Sequence, residues 1–114
     1  MPTRYYISLP DASRARGSEP TLAFQAQGGE ALAAELQAAL TGDGLFQRWR
    51  AMQPDPDDVD PGLGVSDPAA TVSGAQDDMR TELVVVTRLP GDVLKHRLRL
   101  LAGHHWELRD VTAA

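Results

Sequence analysis

The stretch TELVVVTRLPGDVLKHRLRLLAGHHWELRDV, residues 81–111, decides the fold because strand and helix patterns alternate in it with clear breaks. Its first seven residues, TELVVVT, form an almost continuous apolar and β-branched run. Such a run is typical of a strand that is buried on both faces in the middle of a sheet. The sequence LPGD at 89–92 then ends the strand, because proline and glycine interrupt regular structure.

A helix is predicted to follow over residues 92–102. Leu94, Leu98 and Leu101 recur at helical spacing and give the helix one apolar side. Asp92 is placed to cap its first turn, and Gly103 is placed to end it in a left-handed conformation. Residues 105–111 return to a period of two, which predicts another strand and completes a β-α-β unit.

The rest of the chain supplies further strands and a helical layer. Residues 4–9 alternate apolar and polar side chains and predict a strand, and residues 21–27 repeat this pattern and predict a shorter strand paired with it. Residues 30–40 predict an alanine-rich helix. Residues 45–52 fit a second short helix better than a strand, although the pattern leaves the choice open. Residues 71–76 predict a weak strand that leads into the 81–87 strand through a hairpin.

These elements predict a single α+β domain spanning residues 1–114. If the 21–27 strand and the 45–52 helix are additions in the first half of the chain, the remaining order is βαββαβ. That order is typical of a ferredoxin-like split βαβ two-layer sandwich. In this arrangement the apolar strands 4–9 and 81–87 lie in the middle of the sheet, and the polar strands 71–76 and 105–111 lie at its edges.

Composition excludes several classes of protein. The chain has no cysteine, so it has no disulfide framework and no thiolate chemistry. A hydrophobic content of 42% and a charged content of 24% are ordinary for a folded domain. No apolar run approaches the length of a membrane-spanning helix, and the N-terminal residues lack the pattern of a signal peptide. We therefore expect a soluble cytoplasmic protein without membrane association.

The net charge of −5 is concentrated in one segment. Residues 53–79 contain seven aspartates and no basic residue, so the remainder of the chain is slightly basic. Within this segment, residues 54–70 contain three Asp-Pro steps, which prevent both a helix and a central strand. The sequence predicts a long acidic loop there. It leaves open whether that loop is ordered.

No catalytic frame is present, and the sequence favours a non-enzymatic domain that acts through protein contacts. If helices cover only one face of the sheet, the other face presents Tyr6, Val84, Val86 and Glu107. An apolar patch on that face favours association, either as a homodimer or as an accessory subunit of a larger protein. No cofactor is expected, and the partner, the pathway and the oligomeric state stay open.

The alternative is a domain that binds a small anionic ligand or a phosphate group. The candidate residues are Arg14 and Arg16 in the first loop, together with Lys95, His96 and Arg99 on the helix over 92–102. Arginine pairs and flexible backbone suit a phosphate or a carboxylate. A solvated basic helix face explains the same residues without a ligand. Nucleic-acid binding is disfavoured because the 81–87 strand offers no aromatic residue for base stacking.

No metal site is predicted. His104 and His105 lie near Glu107, but neighbouring residues on a strand point to opposite faces and do not converge. The aspartates at 55–60 do not follow the spacing of a calcium-binding loop. A solvated acidic segment explains them better.

Overall fold

Within residues 2–114, which are the residues that the computed structural model describes, a four-stranded antiparallel sheet is covered on one face by three α-helices. The strands are β1 (Thr3–Leu9), β2 (Thr71–Asp77), β3 (Arg80–Thr87) and β4 (Glu107–Ala113). The helices are α1 (Gly29–Thr41), α2 (Gly44–Ala51) and α3 (Gly91–Ala102). The predicted α+β class is therefore confirmed, and the arrangement is consistent with a two-layer sandwich.

The strands are arranged in the order β2-β3-β1-β4, and every neighbouring pair is antiparallel. The apolar strands β1 and β3 lie in the middle, and the more polar β2 and β4 lie at the edges. Thr3 is opposite Thr87 and Leu9 is opposite Thr81, so the whole of β1 is paired with β3. The predicted hairpin between β2 and β3 is present, and Asp78 in its turn has a positive φ of 58°.

One face of the sheet carries the hydrophobic core. Because side chains alternate along a strand, Tyr5, Ile7 and Leu9 of β1 share this face with Leu83 and Val85 of β3. The buried leucines of α1 and α3 pack in the same cluster: Leu32, Leu36, Leu40, Leu94, Leu98 and Leu101. The prediction that residues 81–87 are buried on both faces is wrong. Val84 and Val86 on the opposite face are only half-buried, because no second layer of the described residues covers them.

The helical predictions are largely confirmed. The open question about residues 45–52 is resolved in favour of a helix, which runs over Gly44–Ala51. Helix α3 ends at Gly103, whose φ of 65° is in the range that favours glycine. Asp92, however, does not cap the helix. Pro90 occupies the N-cap position, and Asp92 lies in the first turn, where its charge favours the helix dipole.

The short strand predicted over residues 21–27 is absent, and this prediction was wrong. Leu22, Ala23 and Phe24 are all buried, so the segment does not expose alternate residues as a half-buried strand does. The amides of Gln25 and Ala26 donate to the carboxylate of Glu35 on α1 at 2.9–3.0 Å. These side-chain acceptors replace the ladder that a strand would need.

The acidic loop over residues 54–70 is fixed to the fold at several points. It contains short 3₁₀ turns at Pro56–Asp58 and Pro61–Gly64. The carboxylate of Asp67 accepts hydrogen bonds from the Thr87 hydroxyl and the Arg88 amide, each at 2.9 Å, and these bonds lower the pKa of Asp67. The side chain of Arg50 donates to the carbonyl of Pro56 at 2.9 Å. The segment, whose order the sequence left open, therefore makes specific hydrogen bonds to the rest of the fold.

A buried arginine anchors the same loop from the other side. Arg97 of α3 is 1% exposed, and its guanidinium donates to the carbonyls of Ala39 at 3.0 Å and Leu63 at 3.2 Å, and also to that of Val65. Ala39 lies in the last turn of α1, where helix carbonyls lack partners within the helix. Arg97 thus joins α3, the end of α1 and the acidic loop. Burial lowers the pKa of Arg97, and the charge of Asp43 opposes this effect.

None of the helices within residues 2–114 is both long and apolar enough to cross a membrane.

Replacing Arg97 with methionine should lower the free energy of unfolding by about 1–3 kcal/mol, because the carbonyls that Arg97 binds lose their donor. Arg97→Lys should recover part of this loss, since one ammonium cannot reach all three carbonyls. The measurement is urea denaturation followed by tryptophan fluorescence. Arg99→Met, an exposed change on the same helix, is the matched control and should stay within about 0.5 kcal/mol of the native chain. Equal stability of the Arg97→Met and native proteins would contradict the anchoring role.

Replacing Gly74 with alanine should also destabilise the fold. A Cβ atom at Gly74 would lie 2.2 Å from the carbonyl oxygen of Gly29, where the start of α1 crosses β2. Relieving such a clash costs about 1–3 kcal/mol. Gly42→Ala is the control, because its Cβ would have no neighbour closer than 3.9 Å. Thermal unfolding followed by circular dichroism should show a lower Tm for Gly74→Ala alone.

Candidate functional site

The face of the sheet opposite the core is the first candidate site, and we call it the open sheet face. The register places Tyr6 opposite Val84 and Arg4 opposite Val86, so the centre of this face is largely apolar. All four side chains are half-buried. None of the residues of this face belongs to the hydrophobic core cluster within the described part of the chain.

Polar and charged side chains surround this apolar centre. At one end, the Ser8 hydroxyl donates to Glu82 at 3.3 Å, and Arg80 approaches the same carboxylate at 3.9 Å. On the β4 side, Asp110 is opposite Tyr6 and Glu107 is opposite Ser8. The predicted placement of Tyr6, Val84, Val86 and Glu107 on one face follows from these pairings. An apolar centre with a charged border of both signs is the usual anatomy of a protein interface.

The residues of the predicted anion site do not meet as a group. Arg14 lies on a 3₁₀ turn, is largely exposed and pairs with Asp11 at 3.5 Å. The guanidinium of Arg16 donates to the carbonyls of Ala15 at 3.1 Å and Ala26 at 2.8 Å. Arg16 therefore holds the first loop against the segment after it, while Arg14 has its own counter-ion.

The three candidate residues of the anion site on α3 also lie in different environments. Lys95 and Arg99 are exposed on α3, one turn apart. His96 is half-buried against Trp49 of α2, with ring centroids 4.4 Å apart and planes at 75°. Burial lowers the pKa of His96, and the positive charges of Arg99 and Arg97 lower it further. His96 thus packs between helices and does not extend the basic surface.

Arg16 and Arg99 do share one depression at the C-terminal end of α3, which we call the basic depression. It has a volume of about 310 Å³ and is also lined by Ser18, Gly103, His104 and His105. Its position follows from the close approach of the first loop to the helix end. The amide of Gly17 donates to the carbonyl of Leu101 at 3.0 Å, and a Cβ at Gly17 would lie 2.1 Å from the carbonyl oxygen of Leu100.

Sequence reasoning missed two features of these sites. The first is the buried Arg97, which lies three residues after Leu94 and four before Leu101, on the apolar side of the helix. That spacing indicates from the sequence alone that Arg97 faces the core. The contribution of Ser18, His104 and His105 to one depression had no such signal, because it depends on a contact between distant parts of the chain.

Within residues 2–114, no group of three or more histidine, aspartate or glutamate side chains is arranged to hold a metal ion. Comparisons with protein-family models, with curated proteins and with solved structures found no match. The open sheet face and the basic depression are therefore the two surfaces on which a function can be based.

The stability of the fold should fall as the pH is lowered from 7.5 to 5.5, partly through His96. The folded protein disfavours the charged imidazole, so the unfolded chain takes up this proton first. The stabilising effect is complete above the ordinary pKa of 6.5 and is lost as the pH falls below it. Asp67 titrates with a lowered pKa and stays ionised throughout this range.

Urea denaturation of the native protein and of His96→Gln at the two pH values would measure this effect. The variant should lose less stability on acidification than the native protein. His104→Gln, a change at an exposed histidine, should behave like the native protein. The same pH dependence in the native protein and in His96→Gln would show that His96 does not contribute.

Proposed function

We propose that this chain is a self-associating domain that forms a homodimer through its open sheet face. The observation that carries the proposal is the apolar centre formed by Tyr6, Val84 and Val86 on a sheet face without a helical layer. Within a monomer this patch contacts water, and pairing two copies removes it from water. Each square ångström of apolar surface buried contributes roughly 25 cal/mol.

The size of the face supports pairing with a second copy. Three strands of seven residues and one of eight, spaced about 4.8 Å apart and rising about 3.3 Å per residue, cover roughly 450 Å² in projection. Side-chain relief makes the accessible area larger, which brings it toward the ~800 Å² per partner of a standard interface. A second copy of the chain presents a face of the same size.

The charges around the apolar centre also support a second copy of the chain as the partner. Arg4 and Arg80 are positive, whereas Glu82, Glu107 and Asp110 are negative, and all five border one face. Because a two-fold dimer brings each patch against its own copy, a border of both signs allows opposite charges to meet. A border of one sign would repel itself.

The order of the strands suggests a finer class for the fold. We propose that the domain has the ferredoxin-like split βαβ topology, and the strand order β2-β3-β1-β4 with α1 and α3 as the two crossover helices supports this assignment. The short helix α2 is then an addition. A cytoplasmic, non-enzymatic role, as expected from the composition and motifs, belongs to the same proposal.

Sedimentation velocity over a range of protein concentrations tests the homodimer. The native protein should show a concentration-dependent dimer, and Val84→Glu should weaken dimerisation at least about tenfold, or 1.4 kcal/mol, because it places a charge in the apolar centre. Met52→Glu, a change at an exposed apolar residue of the helical layer, should leave the dimer unchanged. Circular dichroism verifies that each variant is folded.

Tyr6→Lys and Arg4→Glu provide further variants should Val84→Glu fail to fold. A native protein that stays monomeric at millimolar concentration would overturn the proposal. So would a dimer that Met52→Glu disrupts as strongly as the changes in the open sheet face.

A further inference from the structure

The basic depression carries positive charge, and no acidic side chain of residues 2–114 pairs with it. Arg16 and Arg99 line it together with His104 and His105, and no acidic residue is among its lining residues. Within residues 2–114, neither arginine has a carboxylate within 4.0 Å. In a chain with a net charge of −5, this is an unusual concentration of one sign.

The nearest acidic residues along the chain have other partners. The Glu19 carboxylate accepts hydrogen bonds from the amide and the hydroxyl of Thr21, at 3.3 and 3.1 Å. The Glu107 carboxylate binds Arg109 at 3.1 Å. Neither carboxylate therefore serves as the counter-ion of Arg16 or Arg99.

Hydrogen bonds to the end of the helix do not account for these cations either. Basic residues often lie near a helix C-terminus because they bind its last carbonyls and oppose the helix dipole. Here the carbonyl of Leu101 accepts the amides of Gly17 and Phe24, at 3.0 and 2.9 Å. Further bonds reach the carbonyls of Arg99 and Ala102 from backbone amides, and that of Gly103 from the Trp106 indole. The helix carbonyls of Arg99, Leu101 and Ala102 thus have partners that are not basic side chains.

The side chains around the depression suit an oxyanion. Arg16 is held in place by its bonds to Ala15 and Ala26, so its charge is fixed at the edge of the depression. Arg99 and the two histidines are exposed and able to move toward a ligand. The Ser18 hydroxyl and these side chains supply hydrogen-bond donors, and guanidinium groups match the geometry of phosphate oxygens.

We propose that the basic depression binds the phosphate group of a small ligand, with Arg99, Ser18 and the two histidines as donors and Arg16 as a fixed positive charge. This site differs from the one expected from the sequence. It retains Arg16 and Arg99, and it leaves out Arg14, Lys95 and His96. It is independent of the open sheet face.

Titration of the ¹⁵N-labelled protein with inorganic phosphate tests the site, followed by NMR at constant pH and ionic strength. The amides of Ser18, Gly103 and His104 should shift and reach saturation at millimolar phosphate. A phosphate monoester, ribose 5-phosphate, forms the second arm. Tighter binding of the monoester indicates a phosphorylated metabolite, and equal or weaker binding indicates free phosphate. Both results support the phosphate site.

Two variants separate the depression from the general charge of α3. Arg99→Gln should weaken phosphate binding by about tenfold or more, the usual effect of losing a charge-assisted hydrogen bond. Lys95→Gln removes the same charge one turn away, outside the depression, and should change binding less than about threefold. His105→Gln should weaken binding without unfolding the protein.

Three results would overturn the site. The first is the absence of saturable shifts with either ligand. The second is an equal response to chloride at the same ionic strength, which would indicate only non-specific screening. The third is an equal loss of binding in Lys95→Gln and Arg99→Gln. None of these results bears on the homodimer, which is measured by sedimentation.

Discussion

The pairing of β1 with β3 is the constraint on which the rest of the structure depends. Every residue of β1 from Thr3 to Leu9 has a partner on β3. Because side chains alternate across a sheet, a slip of one residue would turn Ile7 and Leu9 outward and bring Tyr6 and Ser8 into the core. The register therefore fixes both surfaces at once. It sets the apolar layer that α1 and α3 cover, and it brings Tyr6 beside Val84 on the opposite face.

Around this central pair, a few side chains supply hydrogen-bond partners for backbone groups that lie outside the helices and strands. Glu35 receives the amides of Gln25 and Ala26, Arg97 donates to carbonyls of the acidic loop, and Asp67 receives an amide and a hydroxyl at the end of β3. Buried or partly buried backbone groups need such partners when no ladder is available. The long loops are thereby held by a few ionisable side chains, and the acidic segment is a structural part of the fold.

These side-chain bonds also explain which parts of the fold could be predicted from the sequence. The strand at 4–9 follows a period of two and the helices follow a period of 3.6, and those periods record which side of each element meets the core. The 81–87 strand is recognised by its β-branched composition instead, which does not show which of its faces is covered. Residues 21–27 show an apolar alternation that is equally compatible with a strand. The segment is not a strand because its amides bind Glu35 and the carbonyl of Leu101. Both acceptors lie elsewhere in the chain, so the local pattern does not reveal them.

The two candidate sites also differ in how far the sequence predicts them. The composition of the open sheet face follows from strand order and alternation, so Tyr6, Val84, Val86 and Glu107 could be placed together from sequence. The basic depression depends on the contact of Gly17 with the end of α3, between residues more than eighty positions apart. Such a contact has no local signature. The sequence therefore indicated Arg16 and Arg99 as basic residues, but it could not separate them from Arg14 and Lys95.

The basic residues differ in whether their side chains have partners within the fold. Of the eleven lysine and arginine residues, Arg14, Arg50, Arg80 and Arg109 pair with carboxylates, and Arg16 and Arg97 bind backbone carbonyls. Within the described residues, Arg4 and Arg99 are among those with neither kind of partner. Arg4 borders the open sheet face, and Arg99 borders the basic depression. Arg48, Arg88 and Lys95 also have neither kind of partner in the described part of the chain, so the lack of a partner does not by itself mark a binding surface. What distinguishes Arg4 and Arg99 is their position, the first beside an apolar patch and the second beside a further arginine and two histidines.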